Sequence, residues 1–446
     1  MTGTPTGTTR SCHPNRSPYC ATRPKLQSFP IPLEEGTSVG AVLNELSRQL
    51  CRCSPREVVR TETTITAEAL ESAHSEFQRL RSEMIAAQER LDWEAYRWYG
   101  LVDEDMTTGA ESEPPLQLGE RAFEIVLARR LASGEEETSW FTRHGSTPIT
   151  ELPTHWPGFY RRLVERRMEL IETDLNIGLI EKPEYKRRWA AKSWDQQVSE
   201  ALRSWLLDRL ESPAYWPEPA ALTTCARLAA QARADTEFME VAHLYKGADV
   251  DAAALISELV AAESVAYLAA YRYTDSGLRK HDEWLRTWEF QRLEDAGQDV
   301  GSIPAPPKYV KGDFRGVTWE HRGKLDVPKE RFISYPGAER ESDPTPVVGW
   351  AGWDHLVRAR ALAVWYTQAR REGRDSSHLL PLLVGLDELV PWLKQWYDQP
   401  DPDPALNRPG SQIAALVDAE LRSLQLSRDD LASWKPEAPR RGRRPR

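Results

Sequence analysis

Between Lys308 and Tyr335 the sequence gathers seven cations, Lys308, Lys311, Arg315, Arg322, Lys324, Lys329 and Arg331, with Tyr309, Phe314, Trp319, Phe332 and Tyr335 set among them. Lysines and arginines meet backbone phosphates, while aromatic rings anchor a loop or stack on bases. The chemistry within reach of this run is contact with nucleic acid, and the seven cations are the candidate DNA-binding residues. Asp313, Glu320, Asp326 and Glu330 share the run, so a loop docked on the core through internal ion pairs is an equal reading. Tyr185–Trp189, with Lys186, Arg187 and Arg188, and Ser276–Trp284, with Arg279 and Lys280, are weaker runs of the same kind. Arg440–Arg446 adds five arginines that could bind nucleic acid as a basic tail.

Catalytic chemistry is harder to find. None of the 25 glycines is adjacent to another or one residue away from it, so no G-x-G turn is present to let a backbone approach a pyrophosphate or an adenosyl group. No two glycines lie five apart with a following lysine, which excludes a P-loop, and none of the nine histidines begins an H-E-x-x-H pair. Gly36-Thr37-Ser38-Val39-Gly40 matches G-x-S-x-G, but the preceding Pro30–Glu35 is too rich in proline for the strand a nucleophile elbow needs. A helix starting at Thr37 or Ser38 and running through Leu50 fits better. Asp174, Glu184 and Lys186 have the acid and E-x-K spacing of a nuclease core, yet helical surroundings favour a solvated charged face. Cys12, His13, Cys20, Cys51 and Cys53 lack paired C-x-x-C knuckles and read as incidental thiols rather than a zinc site. No catalytic residue, metal ligand or resident cofactor is expected.

The elements that must position these residues are mostly helical. From Thr66 to Tyr99, Leu70, Phe77, Met84, Leu91 and Trp98 recur every seven residues, with Ala73, Leu80 and Ala87 between them, which predicts one long amphipathic helix. Its aromatic positions suit a groove in an intramolecular bundle better than the narrow seam of a dimeric coiled coil. Further helices are predicted near Gly119–Ser133, Gly158–Asp174, Lys192–Leu210, Ala220–Tyr245, Asp251–Tyr271, Trp353–Arg371, Ser377–Trp396 and Ser411–Leu424. Gly and Pro are frequent in Val300–Pro346, where Val317–Trp319 and Arg331–Tyr335 could form short strands. The expected fold class is mainly α, built from multi-helix bundle domains with a small irregular or short-strand segment near 300–346.

Bulk properties bound the rest. A chain of 446 residues with 40% hydrophobic residues and 17 tryptophans should fold into more than one domain. Apolar runs such as Val265–Tyr271 are far short of a membrane span, and Met1–Pro30 has no apolar region of the signal-peptide kind. With only Cys225 beyond residue 53, no disulfide framework can hold the main fold, and a reducing, cytoplasmic setting is expected. The net charge is −10. Because the first 30 residues and the final seven are basic, the body between them is more acidic still, so nucleic-acid contact must use local patches or the tail.

Longer strings carry a resemblance. Leu91-Asp92-Trp93-Glu94-Ala95-Tyr96-Arg97-Trp98-Tyr99-Gly100-Leu101 resembles the L-D-x-x-V-Y-x-L-Y-G-L stretch that follows the methyltransferase core in large adenine-specific DNA methyltransferases. Gly119–Glu124, Arg143–Thr150, Pro183–Trp189, Tyr271–Tyr273, Ser276–Lys280 and His321–Phe332 are similar to the C-terminal region of the PglX methyltransferases of type 2 BREX phage-defence systems, and the likeness runs from about Lys25 onward.

The resemblance implies membership of a system in which the complete enzyme uses S-adenosylmethionine to methylate adenine N6 in host DNA. The family's asparagine-Pro-Pro-aromatic motif is not found: Ser17-Pro18-Tyr19 lacks the second proline, and Ala305-Pro306-Pro307-Lys308 lacks the amide and the aromatic. The implied organisation is a disordered leader or remnant at 1–30, a long-helix region after a missing methyltransferase core at 31–110, a helical domain at 111–299, a mixed loop and helical domain at 300–439, and the basic tail at 440–446. The implied function is a non-catalytic DNA-binding or scaffold part of the BREX enzyme. Its partners would be duplex DNA, a separately encoded methyltransferase portion and other BREX proteins, with no membrane. An inactive remnant of a truncated gene, or a protein-interaction scaffold without DNA binding, is the alternative. Methyl transfer or cleavage by this chain itself ranks after both.

Overall fold

Thr66 opens the longest helix by accepting a hydrogen bond from the Ala69 amide at 3.1 Å, and Gly100, at φ +65°, follows its end. In the computed structural model, which describes residues 37–108, 113–189, 191–316, 330–404 and 407–436, this helix is α3 (Ala67–Trp98), after α1 (Thr37–Arg52) and α2 (Pro55–Thr61). The Thr37–Gly40 string is therefore the first turn of a helix, as expected. The rest of the first half holds α4 (Ala122–Ser133), α5 (Trp140–His144), α6 (Gly158–Thr173) and α7 (Leu175–Ile180). The chain divides into two compact units, Met1–Arg203 and Ser204–Arg446, with the division inside α8 (Trp194–Leu210).

In the first unit, α1 and α2 pack on α3, and α4 packs on α6. The deepest α3 side chains are Leu80, Ile85, Glu89 and Trp93, whereas Phe77 and Leu91 of the seven-residue stripe are only half-buried. An α-helix drifts by roughly 20° per heptad against a strict seven-residue repeat, so a straight helix of 32 residues cannot keep one stripe inward along its length. The core joins Met84, Ile85 and Trp93 to Phe123, Ile125, Trp140, Trp156, Tyr160, Val164 and Ile177. Gly119 sits at its edge with φ +96°, where a Cβ would lie 2.6 Å from the Thr147 carbonyl oxygen. No side chain is tolerated at that approach.

The second unit holds β1 (Thr223–Thr224), α9 (Cys225–Ala234), α10 (Thr236–Lys246), α11 (Ala252–Ala262), β2 (Ser264–Ala266), α12 (Ala269–Arg272), α13 (Asp275–Asp295), β3 (Phe332–Ser334), β4 (Val347–Trp350), α14 (His355–Arg371), α15 (Ser376–Trp396), α16 (Pro409–Leu424) and α17 (Arg428–Ser433). Four short strands form one sheet in the order β1-β4-β3-β2, parallel between β2 and β3 and antiparallel elsewhere. Phe332–Ser334 confirms one strand expectation, while Val317–Trp319 lies outside the described residues.

Two helix expectations need correction. Asp235 caps α10, accepting from the Phe238 amide at 3.2 Å, and so interrupts Ala220–Tyr245. Asp251–Tyr271 stops being helical at Ala262, because Ser264–Ala266 pairs with Phe332–Ser334. Pairing with strands more than 60 residues away overrides the local helical pattern. α13, on the other hand, fills a stretch to which the sequence pattern assigned no element. The core of this unit lies between the sheet and α14–α16, with Leu268, Ile333, Val347, Leu362, Tyr366, Leu383 and Val417 at its centre. Among the described residues no helix is long and apolar enough to cross a membrane, and the fold class is mainly α.

Candidate nucleic-acid interface

The first three candidate cations ride on a segment folded back against the start of α13. Thr274 caps that helix, and the Asp313 carbonyl accepts from the Thr274 amide at 2.9 Å. Asp313 is the hub. Its carboxylate accepts from Lys280 Nζ at 2.6 Å, Ser276 Oγ at 2.9 Å and the Val310 amide at 2.8 Å. Burial alone would resist ionisation there, but Lys280 and these donors hold the carboxyl below its usual range. The Gly312 and Lys308 carbonyls accept from Thr274 Oγ1 and Lys280 Nζ, each at 3.0 Å. Tyr273 stacks on Tyr309 with centroids 5.4 Å apart, and Phe314 closes the cluster. The segment is anchored to α13 by side-chain and backbone hydrogen bonds together.

On this segment Lys308 and Lys311 are exposed, and among the described residues neither has a carboxylate partner. Arg315 is also exposed, with its Nε donating to the Tyr273 carbonyl at 2.6 Å. Exposed Arg279, one of the weaker sequence candidates, and Arg315 both act on Asp275, which pairs with Lys435 at 2.9 Å. Arg331 is engaged elsewhere: it pairs with Asp208 at 2.5 Å and with Glu211. It follows the ion-paired reading of the run. Arg322, Lys324, Lys329, Trp319 and the Arg440–Arg446 tail lie outside the described residues, as do Cys12, His13 and Cys20.

The basic run at 185–189 folds the opposite way for one of its members. Lys186 Nζ is buried 2.6 Å from Glu181 Oε1, 2.7 Å from Asp92 Oδ2 and 3.2 Å from Tyr96 Oη, and Tyr96 donates to Glu181 at 2.5 Å. Burial raises the Glu181 carboxyl. It would lower the Lys186 ammonium, but facing Glu181 and Asp92 holds that group well above its ordinary value. Lys186 is thus not part of a solvated face. Asp174 instead caps α7, accepting from the Asn176 and Ile177 amides at 2.8 and 3.0 Å, and Glu184 is exposed. The three residues of the nuclease-like spacing do three different jobs.

Beside that cluster, Arg121 forks onto Glu124, which also accepts from Trp140 Nε1 at 2.9 Å, and Arg167 donates twice to the Met106 carbonyl. Asp92, Tyr96 and Glu181 were not singled out as interacting residues by spacing. The available signal was that Asp92–Tyr96 and Lys186 each sit in one of the family-like strings.

Burial pushes the Cys225 thiol up to about 11, and among the described residues no group of three or more His, Cys, Asp or Glu side chains could hold a metal ion.

Comparison with known proteins accounts for the strings. A family described as Domain of unknown function (DUF7008) matches residues 84–445. The adenine-specific methyltransferase PglX of Streptomyces coelicolor (strain ATCC BAA-471 / A3(2) / M145) is 43% identical over 449 aligned residues, covering 97% of this chain and 36% of that protein. The chain therefore spans little more than a third of the length of that relative. No solved structure matches it. The resemblance to PglX methyltransferases read from the residues holds, and the chain belongs to the DUF7008 family.

Proposed function

We propose that this chain is a non-catalytic DNA-binding module of a BREX adenine-specific methyltransferase, acting in the cytoplasm with a methyltransferase portion encoded elsewhere and with other BREX proteins. In this reading S-adenosylmethionine is bound by that other portion, consistent with the lack of G-x-G turns in this sequence. One observation carries the DNA contact: Lys308 and Lys311 stand exposed, without carboxylate partners among the described residues, on a segment locked to α13 through Asp313. Unpaired cations on an anchored segment neutralise phosphates without first breaking an ion pair.

The test is fluorescence anisotropy of the full chain with duplex DNA at low and physiological salt, beside Lys308→Gln/Lys311→Gln and a variant lacking residues 440–446. Salt-dependent binding that survives loss of the tail and falls in the double variant supports the reading. Absence of binding, or binding lost with the tail alone, overturns it. A protein-contacting scaffold is the second reading, favoured by Leu175, Leu179 and Tyr185, which are 92%, 50% and 68% exposed.

A further inference from the structure

Val310 stands between Lys308 and Lys311, which have no carboxylate partner among the described residues. It is 56% exposed, while Tyr309 before it and Phe314 after it turn inward onto Tyr273. Its backbone is extended, and its amide donates to Asp313 Oδ2 at 2.8 Å. The residue thus sits where the segment turns into the short 3-10 helix Lys311–Asp313. A β-branched side chain has few χ1 rotamers open to it, so this apolar tip on an extended backbone loses little freedom when a partner arrives. A lone exposed valine is ordinary. One carried on an anchored turn with an exposed lysine two residues before it and another directly after has the layout of a side chain that enters a base step while cations hold the flanking phosphates.

Resting on the DNA-binding reading, we propose that Val310 is a wedge that enters the minor groove of duplex DNA and partly unstacks one base step, with Lys308 and Lys311 on the phosphates beside it. The wedge opens the minor groove and kinks the duplex toward its major groove, and the widened groove presents more backbone to the exposed Arg279 and Arg315. A·T-rich DNA containing flexible pyrimidine–purine steps is the preferred substrate, because such steps unstack at the least energy.

The experiment uses the full chain and a short A·T-rich duplex carrying 2-aminopurine, with fluorescent dyes at its ends. Wild type should raise 2-aminopurine emission and bring the dyes closer. Val310→Ser, checked by circular dichroism for an unchanged fold, should abolish both signals and weaken binding about tenfold while leaving the salt slope unchanged. Val310→Leu should restore both signals. Lys308→Gln/Lys311→Gln should instead lower the salt slope by about 2. Duplex binding by wild type without unstacking, or unchanged unstacking in Val310→Ser, overturns the wedge and leaves DNA binding standing. No duplex binding by wild type overturns the DNA-binding reading and the wedge with it.

Discussion

Gly277 and Asp313 meet so closely that a Cβ built on the glycine would lie 2.1 Å from the Asp313 carbonyl oxygen. The first turn of α13 can accept the 308–316 segment only because that helix position carries no side chain. Gly277→Ala should lower the stability of the second unit by about 1–3 kcal/mol, as overpacking does. It should also weaken duplex binding by shifting Lys308 and Lys311. Urea unfolding and anisotropy on one preparation check both outcomes.

Lys280 and Asp313 should be strongly coupled. Removing the cation alone leaves a buried carboxylate with two neutral donors, so Lys280→Met should be destabilising by about 3 kcal/mol. Lys280→Met/Asp313→Asn should lose less than the sum of the two single changes. A double-mutant cycle in urea reads the coupling, and additive losses would show that the hub is not an energetic unit.

Lys186 ties two strings nearly 100 residues apart by holding Asp92 and Glu181 at 2.7 and 2.6 Å. Lys186→Met should be destabilising by about 3–5 kcal/mol by stranding those carboxylates. Lys186→Met/Glu181→Gln should recover part of the loss. In the single variant Glu181 binds its proton more tightly folded than unfolded, so stability should rise as pH falls toward 5. A flat pH profile between 5 and 8 would contradict the assigned geometry.

Glu388 on α15 accepts from the Ala269 amide at 3.4 Å, and burial pushes its carboxyl up to about 7 from an ordinary 4.5, against the pull of Arg272. The folded form holds this proton when the unfolded chain has released it. Stability from this group is therefore complete below about pH 4.5 and declines as pH rises to about 7, a loss of roughly 3 kcal/mol. Glu388→Gln should remove that slope, measured as the urea midpoint between pH 5 and 8, with the variant the more stable at pH 8.

Much of the helical framework was legible in the residues. The Thr66–Tyr99 periodicity marked α3, and Ser411–Leu424 lies within α16 (Pro409–Leu424), because amphipathic spacing and caps are local properties that each segment carries with it. α13 was missed. Its apolar face is broken by His281, Trp284 and Trp288, which pack on Tyr273 and Trp392 rather than in a continuous aliphatic stripe. The strands at Thr223–Thr224 and Ser264–Ala266 were missed for another reason: each has two or three residues, and its partner is far along the chain.

The candidate surface divides in the same way. Composition and spacing alone determined that cations and aromatics gather at 308–335, that helices dominate, and that glycine spacing for a nucleotide loop is lacking. Only the tertiary structure decided which charges face solvent. Lys186 and Arg331 carry the same formal charge as Lys308 and Lys311, yet Asp92 and Glu181 enclose one and Asp208 and Glu211 engage the other. Those carboxylates come from helices and the turns that end them, which the sequence cannot bring to these cations by local pattern, and a charge is available to a partner only when folding has not already supplied its counter-ion.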